Sequence, residues 1–287
     1  ILMKTLPLPS ALVDSSWLAE HLHHPDLVVL DASWHMPAAK RSGEQEWRQQ
    51  RIPGARFFDF DSKIKDQDNP LPHMLPSEAQ FSRQISELGL SNHHHIVIYD
   101  SSGIFAAPRA WWMFRAMGHE KVAVLDGGLL AWVQQGHALE QGEPSEVTPG
   151  HFVAHRQADW IADATQVQTA LSQPDTRVLD ARSRERFSGQ AADPRPGVRP
   201  GHMPGAYCLP FGELLEQGRF LPPEQLAQKL TSHLAPEQRL ICSCGSGVTA
   251  AILALAANLT GHRHIAVYDG SWTEWGGSPD LPVVTGS

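Results

Sequence analysis

Cysteine is scarce in this chain, with Cys208, Cys242 and Cys244 as the only three in 287 residues. So few thiols build no disulfide framework, which suits a reducing compartment and makes the cytoplasm the expected location. Long apolar runs are lacking too, since none approaches the ~18 residues of a membrane span. The start, Ile1 to Ser10, sets one lysine beside an apolar stretch broken by two prolines, too short and interrupted for a secretory core. Ile1 and Leu2, ahead of Met3, read as processing or cloning residues. Positive charge is in deficit: 23 lysines and arginines face 31 acids, a formal net charge of −8. Neither nucleic acid nor a membrane surface is therefore an expected partner, and an anionic substrate must be held by cations placed locally. A second cysteine pair is also missing. Cys242-Ser243-Cys244 and the run His93-His94-His95 lie in different halves of the chain, so no metal site and no cofactor is expected.

What is present begins with size. A chain of 287 residues that is 41% hydrophobic can bury a full core and suits two domains. One stretch organises the rest. Leu240-Ile241-Cys242-Ser243 reads as a buried strand, and an Ala/Leu-rich helix opens after Gly245-Ser246-Gly247, so Cys244 sits where strand gives way to helix. Two glycines let the chain curl, turning the amides of Gly245, Ser246, Gly247, Val248 and Thr249 toward the sulfur. Those amides, with the positive end of the helix, favour thiolate over thiol and make Cys244 the expected nucleophile. Residues two apart on a strand face the same way, so Cys242 reads as a core residue one layer below.

The chain alternates helix and strand in both halves, the grammar of an α/β layer fold. Asp31-Ala32 returns 149 residues later as Asp180-Ala181, and Ile52-Pro53-Gly54-Ala55 returns 151 later as Met203-Pro204-Gly205-Ala206. Asp126-Gly127-Gly128 and Trp132 return 143 later as Asp269-Gly270-Ser271 and Trp275. Landmarks in one order mark a duplicated domain. Residues 10–140 form the first copy, 141–156 a linker rich in glycine and proline, and 157–287 the second. Within this repeat Asp100 falls where Cys244 falls, 144 residues earlier. A carboxylate is no soft nucleophile, so the chain has one reactive site.

The paired domains, the Pro-Gly-Ala turns, the Leu-Asp-Gly-Gly and Val-Tyr-Asp-Gly-Ser-Trp-Thr-Glu-Trp strands and the cysteine loop together resemble the two-domain rhodanese family of sulfurtransferases, over nearly the whole chain. The resemblance implies two tandem rhodanese-like domains, each a mainly parallel central sheet flanked by helices. Within the family the loop Cys244-Gly245-Ser246-Gly247-Val248-Thr249 is similar to that of the mercaptopyruvate enzymes, whereas the thiosulfate enzymes tend to carry Arg-Lys after the cysteine. Two loop cations suit a dianion, and a neutral loop suits a monoanion held elsewhere. Phosphatases of a related fold place an arginine six residues after the cysteine, where this chain has Ala250.

Carried over residue by residue, the resemblance implies that Arg186 and Arg195, nine residues apart, clamp the substrate carboxylate. A guanidinium fork suits that task. Arg184 and Arg199 nearby read equally well as solvated surface charges. The resemblance also implies a proton relay of Ser246, His73 and Asp61, with Asp59 the rival for the acid. The implied reaction moves sulfur from 3-mercaptopyruvate to Cys244, releasing pyruvate, and then to a thiol such as thioredoxin or to cyanide. Transfer from thiosulfate to cyanide is the alternative within the family. A non-catalytic sulfur-relay module is the alternative outside enzymology.

Overall fold

The computed structural model describes residues 6–287, so the reading of Ile1 and Leu2 lies outside the described residues. Packing divides the chain into two units. The first takes the residues up to Gln67, then Leu75–Gln157 and Gln217–Phe220; the second takes Asp68–Met74, Ala158–Glu216 and Leu221–Ser287.

The first unit contains strands β1 (Leu12–Val13), β2 (Leu27–Asp31), β3 (Gln50–Arg51), β4 (Arg56–Phe57), β5 (His95–Tyr99), β6 (Val122–Leu125) and β7 (Glu140–Gln141). Five of them form a sheet in the order β1-β6-β5-β2-β4, with every neighbouring pair parallel. All five residues of β2 are buried, as a parallel strand covered on both faces requires. Helices α1 (Ser15–His21), α2 (Gly43–Gln49), α3 (Glu78–Glu87), α4 (Ala107–Ala116) and α5 (Gly128–Gln134) accompany it. Asp14 caps α1 by accepting the Trp17 amide at 2.8 Å.

The second unit repeats the plan. Five of its strands, β8 (Ile161–Ala162), β9 (Thr176–Asp180), β10 (Tyr207–Cys208), β11 (Arg239–Ser243) and β12 (Ile265–Tyr268), form an all-parallel sheet in the order β10-β9-β11-β12-β8. The helices are α6 (Ala164–Ala170), α7 (Arg184–Ser188), α8 (Pro223–Thr231), α9 (Ala250–Leu259) and α10 (Ser271–Trp275). The α/β class and the two parallel-sheet domains expected from the sequence are observed. Equivalent aromatics anchor the two cores: Trp132 donates its indole N–H to the Ala138 carbonyl, and Trp275 to that of Pro282, both at 2.8 Å.

Register places the chemistry. Asp31 on β2 pairs with Tyr99 on β5, and Asp180 on β9 pairs with Ser243 on β11. Each acid thus ends its strand beside the loop that leaves the neighbouring strand, at the carboxyl edge where open α/β sheets bind ligands. Helix α9 is apolar all round, with Ala250 through Ala257 buried. It begins six residues after Cys244, at the fully buried Ala250. No helix among the described residues is long and apolar enough to cross a membrane.

Candidate active site

Cys244 follows β11 and is 1% exposed. Its backbone is pinned on both sides by the start of α10. The Cys244 amide donates to Ser271 Oγ at 3.2 Å, and its carbonyl accepts the Trp272 amide at 2.8 Å. The next carbonyl, Gly245, accepts the Thr273 amide at 2.9 Å and the Thr273 hydroxyl at 2.7 Å. Sequence reasoning saw Asp269-Gly270-Ser271 as a landmark of the repeat and missed it as the floor of the site. Its return in both halves was the available signal.

The two loop glycines serve different purposes. Gly247 has φ +86°, a left-handed turn that glycine adopts without steric cost, and its amide donates to Cys244 Sγ at 3.1 Å. Gly245 is needed for space. A Cβ there would stand 3.2 Å from Arg195 Nη1 and 3.5 Å from Nη2, so the arginine lies over the loop against bare backbone. Of the five amides expected around the sulfur, Gly247's reaches it, while those of Gly245, Ser246, Val248 and Thr249 make no bond to it.

The equivalent loop of the first unit explains where such amides point. Asp100 accepts the Ser102 amide on Oδ1 at 2.9 Å, and on Oδ2 the Phe105 and Ala107 amides at 3.0 and 2.7 Å. A carboxylate reaches one bond further into the turn than a thiol sulfur does, so it gathers donors that Cys244 Sγ leaves untouched. Burial still pushes the Asp100 carboxyl up to about 6 against those amides. The other two cysteines are held as thiols. Burial pushes Cys208 up to about 12 and raises Cys242, which is fully buried as the strand pattern required.

The arginines divide into two kinds. Arg195 Nη1 is buried and finds no hydrogen-bond acceptor; its nearest acid is Asp193, 3.8 Å away. Arg186, half-buried on α7, offers its guanidinium without an ion-pair or hydrogen-bond partner among the described residues. Arg184 pairs at the surface with Glu213 at 2.7 Å. Arg199 is no surface charge: it donates to the carbonyls of Trp275, Gly276, Ser278 and Leu281 at 2.6–3.0 Å and ties down the chain after α10. Arg182, at the end of β9, is 3% exposed and locked onto Asp180.

Ser246 is 6% exposed and its hydroxyl makes no hydrogen bond to a described residue. His73 is 2% exposed, with a left-handed φ of +60° that is unusual for a histidine and belongs to a constrained position. It packs with the second unit, whereas Asp61 is an exposed residue of the first. Asp59 accepts the amides of Asp61 and Ser62 at 3.0 and 2.8 Å and the Ser62 hydroxyl, so its carboxylate is committed to its own turn.

Known proteins are similar to this chain in sequence and fold. A model of the rhodanese-like domain matches residues 14–135 and again 163–278. The 3-mercaptopyruvate sulfurtransferase of Escherichia coli K12 is 39% identical over 273 residues, 94% of this chain and 96% of that protein. The thiosulfate sulfurtransferase of Gallus gallus is 40% identical over 92% of this chain and 93% of its own length. The crystal structure of SseA from Escherichia coli, described as a 3-mercaptopyruvate sulfotransferase, superposes with a TM-score of 0.83 at 36% identity, covering 92% of this chain and 99% of that one. With two matched domains, and with relatives covered almost end to end, the chain belongs to the rhodanese family.

Proposed function

We propose that this protein is a sulfurtransferase that takes sulfur from 3-mercaptopyruvate onto Cys244 and passes it to an acceptor thiol. The observation that carries the reading is the guanidinium of Arg195, whose Nη1 makes no hydrogen bond, lying over the bare backbone of Gly245 beside the cysteine. It offers a fork for a carboxylate next to the nucleophile and leaves the loop itself uncharged. Relatives of nearly equal identity are named for mercaptopyruvate and for thiosulfate, so overall likeness does not divide the two donors. The neutral loop favours the monoanion.

The Cys244 thiolate attacks the sulfur of the substrate, forming the S–S bond. The C–S bond breaks with its electron pair on carbon, giving pyruvate enolate. One proton delivered to that carbon completes pyruvate and leaves Cys244 as a persulfide. Arg186 and Arg195 hold the carboxylate. The amides of Gly245, Ser246, Gly247, Val248 and Thr249 receive the outer sulfur one bond beyond Sγ, the depth at which Asp100 meets its own donors; a well-placed donor of this kind is worth ~3 kcal/mol. Ser246 and His73 move the proton, with Asp61 as the orienting acid and Asp59 as its rival. A second thiol, for which we propose thioredoxin, then attacks the outer sulfur and regenerates Cys244. The catalytic domain in this reading is residues 157–287, after the segment 141–156, and the three free thiols are consistent with a reducing compartment such as the cytoplasm.

The test compares initial rates with 3-mercaptopyruvate and with thiosulfate, and follows intact mass during the first half-reaction. Pyruvate release matched by the gain of one sulfur atom on Cys244 is expected. A faster rate with thiosulfate would overturn the donor assignment.

A further inference from the structure

The two repeats differ at one internal cluster. In the second unit, Arg182 is a buried plug. Its Nε donates to both Asp180 oxygens at 3.1 Å, and its Nη2 to Asp180 Oδ2 and the Gly201 carbonyl at 2.8 Å each. Its guanidinium carbon lies 4.4 Å from the Trp272 ring centroid. Cation, acid, carbonyl and aromatic face close that end of the sheet.

By the spacings of the repeat, the counterparts of Asp180, Arg182, Gly201 and Trp272 are Asp31, Ser33, Gln50 and Leu129. The backbone matches: the Ser33 amide donates to Asp31 Oδ1 at 2.8 Å as the Arg182 amide does to Asp180 Oδ1 at 3.0 Å. The Leu129 amide meets the Asp100 carbonyl at 3.0 Å as the Trp272 amide meets that of Cys244 at 2.8 Å. The acid is kept, but arginine has become serine and tryptophan leucine. All four counterparts line a cavity of about 660 Å³ in the first unit.

The retained acid has lost its cation. Asp31 is 3% exposed, its hydrogen-bond partners are the neutral Ser33 and Tyr99, and it makes no ion pair among the described residues. Burial pushes its carboxyl up to about 7. The one arginine on the cavity wall, Arg41, is already held by both oxygens of Glu46, at 2.9 and 2.7 Å. Leu129, Leu130 and Val133 form an apolar side, and the amides of Gln49, Gln134 and Gln141 lie on the rim with Gln50.

We propose that this cavity of the non-catalytic unit is a binding site for an arginine-like ligand. The guanidinium takes the place that Arg182 fills in the other repeat, the aliphatic stem lies on Leu129, Leu130 and Val133, and the polar end meets the glutamine amides. A planar fork matches a carboxylate through two charge-assisted bonds, which an ammonium cannot do. The source is free arginine or an arginine side chain of a peptide.

Isothermal titration calorimetry of the whole protein tests this without reference to turnover. Free arginine and N-acetyl-arginine amide are titrated separately, with N-acetyl-lysine amide as the ammonium control. Saturable binding of about millimolar order is expected, weakened at least tenfold in Asp31→Asn and at least fivefold for the lysine analogue. Preference for the blocked arginine assigns a peptide side chain and preference for the free amino acid assigns a small molecule; both support the site. Ser33→Arg supplies the missing plug from within and should abolish binding. If that variant does not fold, Leu129→Trp narrows the same cavity from its other wall and should also weaken binding. No heat from the parent protein, or undiminished binding in both Asp31→Asn and Leu129→Trp, would overturn the proposal.

Discussion

Ser271 and Gly128 stand at the same place in the two repeats, 143 residues apart, and share a left-handed backbone with φ of 50° and 53°. In the first repeat a Cβ at Gly128 would come within 2.3 Å of the Asp100 carbonyl oxygen, so glycine alone fits. In the second, a serine is held in that strained conformation. Its hydroxyl donates to the Tyr268 carbonyl at 2.8 Å, accepts the Cys244 amide at 3.2 Å and lies 4.0 Å from Sγ. Such a backbone costs ~1–3 kcal/mol, which the two buried bonds offset.

Ser271→Ala keeps the strain and loses both bonds, so it should lose ~1–3 kcal/mol of stability and form persulfide more slowly. Ser271→Gly relieves the strain and should be the more stable of the two. Urea unfolding measures the difference. Equal stability of Ser271→Ala and the parent would mean that the hydroxyl does not offset the backbone.

Cys244→Ser should abolish turnover. Cys242→Ala leaves the loop intact and removes a buried sulfur, so it should keep most of the activity at a stability cost of ~1 kcal/mol. The pair is read by steady-state rates together with thermal unfolding. Loss of activity in Cys242→Ala with the fold intact would move the nucleophile within the Cys-x-Cys run.

Arg195 and Gly245 should fail together. Arg195→Lys or Arg186→Lys keeps the charge but loses the fork, raising KM for mercaptopyruvate roughly tenfold, since a hydrogen bond to a charged group is worth ~1.5–3 kcal/mol. Gly245→Ala puts a methyl group 3.2 Å from Arg195 Nη1 and should raise KM in the same direction by displacing it. Discharge of preformed persulfide to a neutral thiol involves no carboxylate and should be little changed in all three. Unchanged KM in both lysine variants would remove these arginines from the carboxylate clamp. Installing the Arg-Lys pair of the thiosulfate loop at Gly245 and Ser246 would likewise push Arg195 aside, so the swap should lower mercaptopyruvate activity as well as raise thiosulfate activity.

Asp31 makes a pH prediction with a definite sign. Its carboxyl is raised from 3.8 to about 7, first by burial and also by the neighbouring Asp100. Below pH 3.8 both folded and unfolded chains hold the proton. Between 3.8 and about 7 the unfolded chain releases it while the folded one keeps it, so stability falls across that window and then levels. Asp31→Asn removes this loss, worth up to ~4 kcal/mol at pH 8 by the size of the shift. Unfolding at pH 4 and pH 8 should therefore show a gain for the variant at pH 8 only. A gain of the same size at both values would rule out the proton as its cause.

The parts of the molecule that could be read in the sequence were those written locally. A strand, a Gly-Ser-Gly turn and an apolar helix are contiguous around Cys244, and the repeat spacings expose Asp100 as its replacement. The strands Leu12–Val13 and Ile161–Ala162 were missed because two residues carry no period. Arg199 and Ser271 were missed for another reason. The carbonyls that hold Arg199 lie 76 to 82 residues away, and Ser271 lies 27 residues from the cysteine whose amide it accepts, so each reads alone as a polar surface or turn residue. Arg186 and Arg195 were named only through family resemblance, because an arginine reads the same in sequence whether it faces solvent or a ligand.

Asp100 gives the duplicated fold a stoichiometry. The amides of Ser102, Phe105 and Ala107 close on a carboxylate fixed to the same chain, so this cradle meets its anion at an effective concentration that no dissolved donor matches. The first unit therefore neither stores sulfur nor competes for the anions on which the second unit acts. Titration with a sulfur donor should end at one sulfur per chain, although the chain carries the loop twice.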